Sequence, residues 1–595
     1  MSQIVHWFRR TEDGVLTLVL ALLVLLPVVE IVLRAMGVAG LVGAAGFAQH
    51  LTLVVSMVGG AIAARENRLL ALATAQMLGE QVAARMVRGV FTGLVSGVLG
   101  IGASHYVSLE IGESQRLGYD VPSWLFQLFM PLGFVLIAWR SLYDASGGWG
   151  GRIAAIVTAV VVGAVLYLWG LEFPTLITLM LIALVIAAFL GVPIFAVLGG
   201  ATLLLFWVEE VPIGAMAIDH YRLATSPALP AIPLFTLAGF LLAESEAPKR
   251  IVRLFETLFG RFKHGAVMVT VIVSTFFTCF TGASGVTILA LGGLLMPLLL
   301  AANYPERRGL GLIAGGGGPG VLFPPSVPLI LFAVIADLRI NDMFIAGLLP
   351  GLIMLAIAIW WGTMGGHDAQ RSSATFAWRD VWAAAWAAKW ELAVPIAAVV
   401  TLLTGLATPV ETAAVTAFAA FIVVTMIHRE LHITRDIPRV FVECGLLIGG
   451  IFLVLGIALG FTNYIVDAEV PDMLVDWVTT YIESKWAFLV VLNVVLLIAG
   501  CVMDIYSAVI VLVPIALPLA AAYGIHPVHL GAIFLVNLEL GYLTPPVGLN
   551  LFFAAARFRR SVIEVWRASF TLFLLMFIGL ALVTYWPALS TWHLD

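Results

Sequence analysis

Two short segments inside apolar sequence carry the glycines and oxygen atoms of a candidate cation site. The first, residues 280–285, reads FTGASG, and the second, residues 503–507, reads MDIYS. Glycine lets the backbone turn and expose its carbonyl oxygens, and carbonyl and hydroxyl oxygens together suit a hard cation such as sodium. The polar side chains of these segments include Thr281, Ser284, Asp504 and Ser507. The glycines could instead only permit tight helix packing, and both interpretations stay open.

A second pattern is a motif that occurs twice, 221 residues apart. Residues 320–333 read GVLFPPSVPLILFA, and residues 541–554 read GYLTPPVGLNLFFA. Proline removes a backbone donor and clashes with the preceding turn, so neither stretch can form one unbroken helix. Matching Gly/Pro breaks in two halves of a membrane protein point to the binding site of a transporter. Ser326, Thr544 and Asn550 add polar oxygens beside these breaks.

Two carboxylates lie within apolar stretches, where a charge is expensive and suggests a function. Asp504 sits between two apolar runs, and Glu539 precedes Gly541 by two residues. Asp504 could bind a cation, stabilise the site without contacting the cation, or cap a half-helix. Glu539 could be a protonatable group or could pair with a polar residue of a neighbouring helix.

Composition restricts the class of protein. The 595 residues are 62% hydrophobic and 11% charged, with a net charge of −5 that indicates no nucleic-acid partner. Apolar runs of about 20 residues recur along the chain and predict a polytopic helical membrane protein. The three cysteines have no metal-type spacing and are expected to be small buried hydrophobes. No loop is long enough for a soluble catalytic domain, so the chain is not expected to be an enzyme.

The pattern of spans predicts an all-α polytopic membrane protein with an inverted-repeat transport module. Each repeat has five crossings, one re-entrant hairpin and one broken helix, and an odd number of crossings inverts the second repeat relative to the first. The predicted parts are a four-helix membrane module at 1–143, a linker and connecting transmembrane helix at 144–173, repeat 1 at 174–366, an interfacial connection at 367–389, and repeat 2 at 390–595.

Charged loops orient the chain in the membrane. Arg9 and Arg10 place the N-terminus in the cytoplasm, and the count of spans then places the C-terminus outside. The loop at 467–483 is acidic, which fits the outer side. Tryptophans at four-residue spacing between 378 and 390 predict an amphipathic helix at the cytoplasmic membrane interface.

These motifs resemble those of the tripartite ATP-independent periplasmic (TRAP) transporters. LPAIPLFTLAGFLL at 229–242, FTGASG at 280–285 and VNLELGYLTPPVGLNLF at 536–552 resemble the large membrane subunit. Residues 1–143 resemble the small membrane subunit more loosely, through Arg65-Glu66 and Arg140 among others. The arrangement is similar to a fused small-plus-large subunit.

The resemblance implies a sodium-coupled importer in the bacterial inner membrane that works by an elevator motion. It implies an organic-acid substrate, such as a C4-dicarboxylate, sialic acid or a similar carboxylate, delivered by a periplasmic substrate-binding protein to a monomeric fused subunit. The corresponding sodium ligands are Gly282, Ser284, Gly320, Phe323 and Pro325 at the first hairpin, and Asp504, Gly541, Thr544 and Pro546 at the second. The residues expected to bind substrate are Ser284, Ser326, Ser507 and Asn550.

The sequence was compared with three alternative functions. A sodium/carboxylate symporter of similar architecture would act without a binding protein. A membrane subunit of a respiratory enzyme would need haem-type histidine pairs or cysteine clusters, and the sequence has neither. A purely structural scaffold would not explain the paired Gly/Pro breaks or Asp504.

Overall fold

The computed structural model describes residues 2–72, 81–113, 115–169, 174–260, 262–364 and 377–594. Within these ranges the regular structure is helical, with only two isolated β-bridges. The same ranges contain 11 helices long and apolar enough to cross a membrane, or up to 13 if each bent helix pair is one span. This confirms the predicted all-α polytopic membrane protein.

The chain divides into two compact units. The first unit comprises Met1–Pro233 and Phe441–Met473, and the second comprises Leu234–Val440 and Leu474–Asp595. The longer helices of the first unit are Ser2–Ala35, Ala44–Arg65, Val82–Glu113, Phe129–Asp144, Trp149–Trp169, Pro174–Phe189, Ile194–Val208, Gly214–Ala224 and most of Asp436–Asp467.

Close glycine contacts and a partly buried ion cluster stabilise the first unit. A Cβ on Gly449 would lie 2.6 Å from Gly59 Cα, so the helices that carry these residues pack with their backbones close. Glu12 accepts hydrogen bonds from Arg65, at 3.0 Å, and from Arg140. Because buried charges are tolerated when they are paired, the two arginines of the small-subunit-like motif share one carboxylate partner.

The second unit contains both Gly/Pro breaks and both candidate hairpins. Its main helices are Ala231–Ala243, Ala247–Phe259, Gly265–Thr281, Ser284–Ala301, Glu306–Gly316, Val327–Ile335, Ile340–Met364, Trp378–Ala387, Lys389–Thr404, Pro409–Ile422, Val470–Tyr481, Lys485–Val502, Ile505–Ala522, Pro527–Gly541, Leu549–Phe558 and Val562–Tyr585.

The order of helices repeats between the two halves of the large-subunit-like region, with one difference. The second half has one continuous helix, Asp436–Asp467, where the first half has Gly214–Ala224 followed by Ala231–Ala243. Pro227 and Pro230 interrupt the helix in the first half, because proline cannot continue the hydrogen-bond ladder. The apolar pattern of the sequence predicts one span near 228–245 and does not predict the helix Gly214–Ala224 before it. The inversion of the repeats in the membrane stays a prediction.

The predicted interfacial connection is described from residue 377 onward, and its residues 367–376 lie outside the described ranges, as do residues 170–173 of the predicted linker. Helix Trp378–Ala387 bends by 70° into helix Lys389–Thr404. Trp378, Trp382 and Trp386 are 74%, 70% and 61% exposed. One face is therefore aromatic and exposed, as an amphipathic helix requires, and its place at the membrane interface stays a prediction.

Candidate functional site

Hairpin one, Gly265–Ala301, turns at the predicted glycine. Helix Gly265–Thr281 ends at Gly282, whose φ of +69° lies in the left-handed region that favours glycine. The Gly282 amide donates a hydrogen bond of 2.8 Å to the carbonyl oxygen of Thr278, and the next helix begins at Ser284. The break thus falls within the segment FTGASG at 280–285 that the sequence indicated.

Hairpin two, Lys485–Ala522, turns at Asp504. Asp504 is the N-cap of helix Ile505–Ala522, and its side chain accepts a 2.9 Å hydrogen bond from the Ser507 amide. The Ser507 hydroxyl donates to the other carboxylate oxygen at 2.5 Å. The capping hypothesis for Asp504 is therefore confirmed, and the Ser507 hydroxyl proton is already engaged. A cation at Asp504 stays a prediction.

Both predicted broken helices are broken at their Pro-Pro pairs. Broken helix one, Glu306–Ile335, bends by 45° between Glu306–Leu322 and Val327–Ile335. Broken helix two consists of Pro527–Gly541 and Leu549–Phe558. The Pro324-Pro325 and Pro545-Pro546 peptide bonds are both cis.

The glycines that open the two Pro-Pro motifs have a packing role. A Cβ on Gly320 would lie 2.5 Å from the Thr275 carbonyl oxygen, and one on Gly541 would lie 2.6 Å from Gly500 Cα. In each half, the broken helix therefore lies directly against the first helix of its hairpin. Tight packing and cation binding are compatible here, because close backbones also bring carbonyl oxygens together.

Ser284 connects hairpin one to broken helix two. Its hydroxyl lies 3.2 Å from each carboxylate oxygen of Glu539 and 3.0 Å from Oδ1 of Asn550. All three side chains are buried. Glu539 therefore pairs with a polar residue of a neighbouring element, which is one of the two roles that the sequence left open.

Two tyrosines complete the contacts between the hairpins and the broken helix, and sequence reasoning missed both. The Tyr506 hydroxyl donates a 2.9 Å hydrogen bond to the Gly282 carbonyl oxygen, which joins the two hairpin tips. The Tyr542 hydroxyl accepts a hydrogen bond from the Ile505 amide, just after Asp504. A buried tyrosine hydroxyl needs a polar partner. The position of these tyrosines beside a glycine or an aspartate was the sequence signal that could have indicated such contacts.

Four of the backbone carbonyls beside the proposed sodium sites already accept hydrogen bonds. The Phe323 and Gly320 carbonyls accept from the amides of Ser326 and Phe323, at 3.0 and 3.2 Å. In the second half, the Gly541 carbonyl accepts from the Thr544 amide at 2.9 Å, and the Thr544 carbonyl accepts from Cys501 Sγ at 3.0 Å. Each carbonyl oxygen has a second lone pair, so these contacts leave room for a cation.

Two buried polar atoms at the breaks are without partners. The Ser326 hydroxyl and the Asn550 amide nitrogen have no hydrogen-bond partner among the residues that the structure covers. Burying a polar group without a partner costs free energy, so such groups are expected to serve a ligand. Asn550 and Glu539 also line a small cavity together with Gly315, Gly318 and Pro319.

Comparison with known proteins identifies the family. The family model of the tripartite ATP-independent periplasmic transporter, DctM component, matches residues 173–589, and that of the DctQ component matches residues 23–151. The two matches lie side by side in one chain.

Three relatives illustrate the range of similar proteins. The C4-dicarboxylate TRAP transporter large permease protein DctM of Pseudomonas aeruginosa is 31% identical over 393 residues, which cover 66% of this chain and 91% of that protein. The 2,3-diketo-L-gulonate TRAP transporter large permease protein YiaN of Escherichia coli is 31% identical and covers 62% of this chain and 88% of that protein.

The third relative has both components in its name. The isethionate TRAP transporter permease protein DctMQ of Oleidesulfovibrio alaskensis is 30% identical over 501 residues, which cover 81% of this chain and 76% of that protein. Its similarity extends beyond the DctM region, as the two adjacent family matches require. The chain therefore belongs to the TRAP transporter family, as a fused small and large membrane subunit, and is a multi-pass transport protein rather than an enzyme.

Proposed function

We propose that this protein imports an organic acid by sodium symport, and that a periplasmic substrate-binding protein delivers the substrate. The observation that carries the proposal is the direct contact between the hairpin tips and broken helix two. Tyr506 of hairpin two bonds the Gly282 carbonyl of hairpin one, and Ser284 of hairpin one contacts Asn550 of broken helix two. Breaks at such junctions are where secondary transporters bind substrates and cations.

Sodium fits the donor set at both breaks. Gly282, Ser284, Gly320, Phe323 and Pro325 form one set, and Asp504, Gly541, Thr544 and Pro546 form the other. The first set offers carbonyl and hydroxyl oxygens, and the second adds the Asp504 carboxylate; all of these oxygens suit a hard cation. The unpartnered Ser326 hydroxyl adds an oxygen beside the first set. When bound, sodium supplies the positive charge that favours an anionic substrate nearby.

The division of the chain supports an elevator motion. Both hairpins and both broken helices belong to the second compact unit, whereas the four-helix module belongs to the first. An elevator needs a transport unit that carries the whole site and a scaffold that carries none of it. We infer that the second unit contains the moving part and that the small-subunit-like module enlarges the scaffold.

The substrate class follows from the polar groups and from the relatives. Of the four residues expected to bind substrate, Ser326 and Asn550 have a hydroxyl and an amide nitrogen without a partner, and these can donate to a carboxylate. The hydroxyl protons of Ser284 and Ser507 are engaged by other side chains and would have to change partner to contact the substrate. Relatives are named for a C4-dicarboxylate, 2,3-diketo-L-gulonate and isethionate, all of them organic anions. We therefore propose a small carboxylate, with the binding protein contributing much of the selectivity.

Uptake by proteoliposomes tests this proposal. The purified chain is reconstituted with the cognate binding protein, and uptake of labelled candidate acids is followed. We expect uptake only when the binding protein is present and an inward sodium gradient is imposed; an unrelated binding protein serves as the control. Equal uptake with and without the binding protein would favour the runner-up, a symporter that takes its substrate directly from solution.

A further inference from the structure

Glu539 is a buried carboxylate that belongs to neither of the two proposed sets of sodium ligands. It lies in helix Pro527–Gly541, where all residues from Val528 to Gly541 are buried, and it is only 6% exposed. An isolated buried carboxylate is costly, so its hydrogen-bond donors must be held in place. The Ser284 hydroxyl, at 3.2 Å from both carboxylate oxygens, is its side-chain hydrogen-bond donor among the described residues.

The contact of Glu539 with Ser284 is tertiary rather than local. Ser284 is the first residue of the second helix of hairpin one, and it is separated from Glu539 by 255 positions. The same hydroxyl lies 3.0 Å from Asn550, which belongs to the second half of broken helix two. Glu539 and Asn550 therefore contact the hairpin tip from both sides of the Pro-Pro break.

Glu539 also fills the space beside broken helix one. A Cβ on Gly318 would lie 3.0 Å from a Glu539 carboxylate oxygen. Any other residue at position 318 would bring its Cβ so close to the Glu539 carboxylate that the carboxylate would have to shift. The side chain thus contacts hairpin one and broken helix one, and its own helix is the first half of broken helix two.

We propose that Glu539 is a positioning residue that holds the tip of hairpin one, through Ser284, against both broken helices. Ser284 belongs to the first proposed sodium set, so Glu539 keeps one sodium ligand in place without binding sodium itself. The consequence for sodium rests on the proposed function, whereas the positioning of the tip does not. A buried polar group that loses its hydrogen-bond partner is costly, so the loss of this contact is expected to loosen the hairpin tip.

Hydrogen exchange measured by mass spectrometry tests the positioning directly. In the full chain in lipid nanodiscs, Glu539→Ala is expected to speed exchange in the tip peptide 280–288 by about tenfold or more. Ser284→Ala should do the same, and the double variant should add little, because both remove one contact. Glu539→Gln keeps an oxygen that can accept from Ser284, so its tip should stay protected.

Asn537→Leu is the matched control for these variants. Asn537 lies two residues before Glu539 on the same helix and is also buried, but its amide donates a 2.6 Å hydrogen bond to Asn493 instead. Its loss is expected to leave exchange at 280–288 unchanged. Equal acceleration by this control, or unchanged exchange in Glu539→Ala, would overturn the proposal.

Sodium titration of uptake gives the second readout. The sodium concentration for half-maximal uptake should rise at least about tenfold in Glu539→Ala and less than about threefold in Glu539→Gln, with a smaller change in maximal rate. An unchanged half-maximal concentration in Glu539→Ala would show that the tip contact does not serve sodium binding. If wild-type uptake ignores sodium, the proposed function fails, while the exchange experiment still decides the role of Glu539.

Discussion

Asp504 caps a helix and is also a proposed sodium ligand. Its carboxylate caps helix Ile505–Ala522 by accepting from the Ser507 amide and hydroxyl. A carboxylate has about four lone-pair sites, so capping leaves acceptor capacity for a cation. The geometry therefore confirms the capping role of Asp504. Whether its negative charge also binds a cation has to be tested by a separate experiment.

Asparagine separates the two roles of Asp504, because it caps helices as well as aspartate does. We expect Asp504→Asn to keep the thermal stability of the protein but to lose at least about tenfold in sodium-driven uptake, since a charged ligand is removed. Asp504→Ala should lose uptake and also about 1 kcal/mol of stability with the cap. Full uptake by a stable Asp504→Asn protein would reduce Asp504 to a cap.

Gly541 has no room for a side chain at the contact with Gly500. Gly541→Ala places a Cβ within 2.6 Å of Gly500 Cα, so the broken helix must shift away from its hairpin. Overpacking of this kind costs about 1–3 kcal/mol, and we expect a lower melting temperature together with weaker sodium dependence of uptake. Gly97→Ala, at a helical glycine with nothing within 4 Å of its Cβ, is the control and should melt no lower than the wild type, because alanine is the better helix former.

At the scale of elements, an ion cluster fastens the helix that precedes hairpin one. Arg250 of helix Ala247–Phe259 bonds Glu391 at 2.6 Å and also bonds Glu430, which lies in the loop after Ile427. Glu391 is fully buried, and His428 lies 3.1 Å from it. Burial opposes ionisation of Glu430, but the hydrogen bonds from Arg250 and from the Glu246 amide outweigh it and lower its pKa.

Removing Arg250 leaves a buried carboxylate without its main partner. Arg250→Ala is expected to cost about 3–5 kcal/mol, seen as a fall in melting temperature. The control is Arg560→Ala, which breaks a 2.7 Å pair with Glu306 in which both side chains are about half exposed. A surface pair of this kind contributes at most about 1 kcal/mol. Equal effects of the two changes would contradict a structural role for the cluster.

The same cluster predicts a direction of pH dependence. The pKa of Glu430 is lowered in the folded protein, so its contribution to stability is present above the ordinary glutamate pKa of about 4.3 and is lost as pH falls through the folded value. The difference in melting temperature between wild type and Glu430→Gln should therefore stay constant from pH 7 down to about 4.3 and shrink only below that, as pH falls through the lowered folded pKa.

The acidic segment 467–483 is a candidate docking element for the binding protein. Asp472 and Asp476 are exposed on helix Val470–Tyr481. Complementary charges mainly raise association rates, and salt screens them. We expect Asp472→Lys with Asp476→Lys to slow association about tenfold at low salt, with the difference shrinking in high salt. Asp380→Lys, an exposed change on the predicted cytoplasmic side, should leave the association rate unchanged.

At the scale of the whole molecule, the proposed cycle moves sodium and substrate together. Replacing external sodium by choline at fixed pH should reduce uptake to background. Transport should respond to membrane potential if more sodium charges enter than the substrate has negative charges, because each charge that crosses gains about 2.3 kcal/mol per 100 mV. Uptake that persists unchanged in choline would rule out sodium coupling.

The sequence by itself determined the class of this protein and the places where its helices break. Apolar runs and scarce charge predict helical spans, and a double proline breaks a helix in any context. For the same local reason, the tip at Gly282 and the cap at Asp504 were predictable from residue type. Three helices of the described residues were not predicted: Gly214–Ala224, Ala247–Phe259 and Val470–Tyr481, the last of which lies in the predicted acidic loop.

Only the tertiary structure decided which of these local features meet. Ser284, Glu539 and Asn550 are hundreds of positions apart or lie on either side of a break, so no spacing rule brings them together. The contact of Tyr506 with the Gly282 carbonyl could not be predicted either. A tyrosine in an apolar run is read as a core residue, and only the structure shows the partner of its hydroxyl. Local chemistry specifies breaks and caps, whereas long-range packing selects the partners of buried polar groups, since each must be satisfied by whichever element lies beside it.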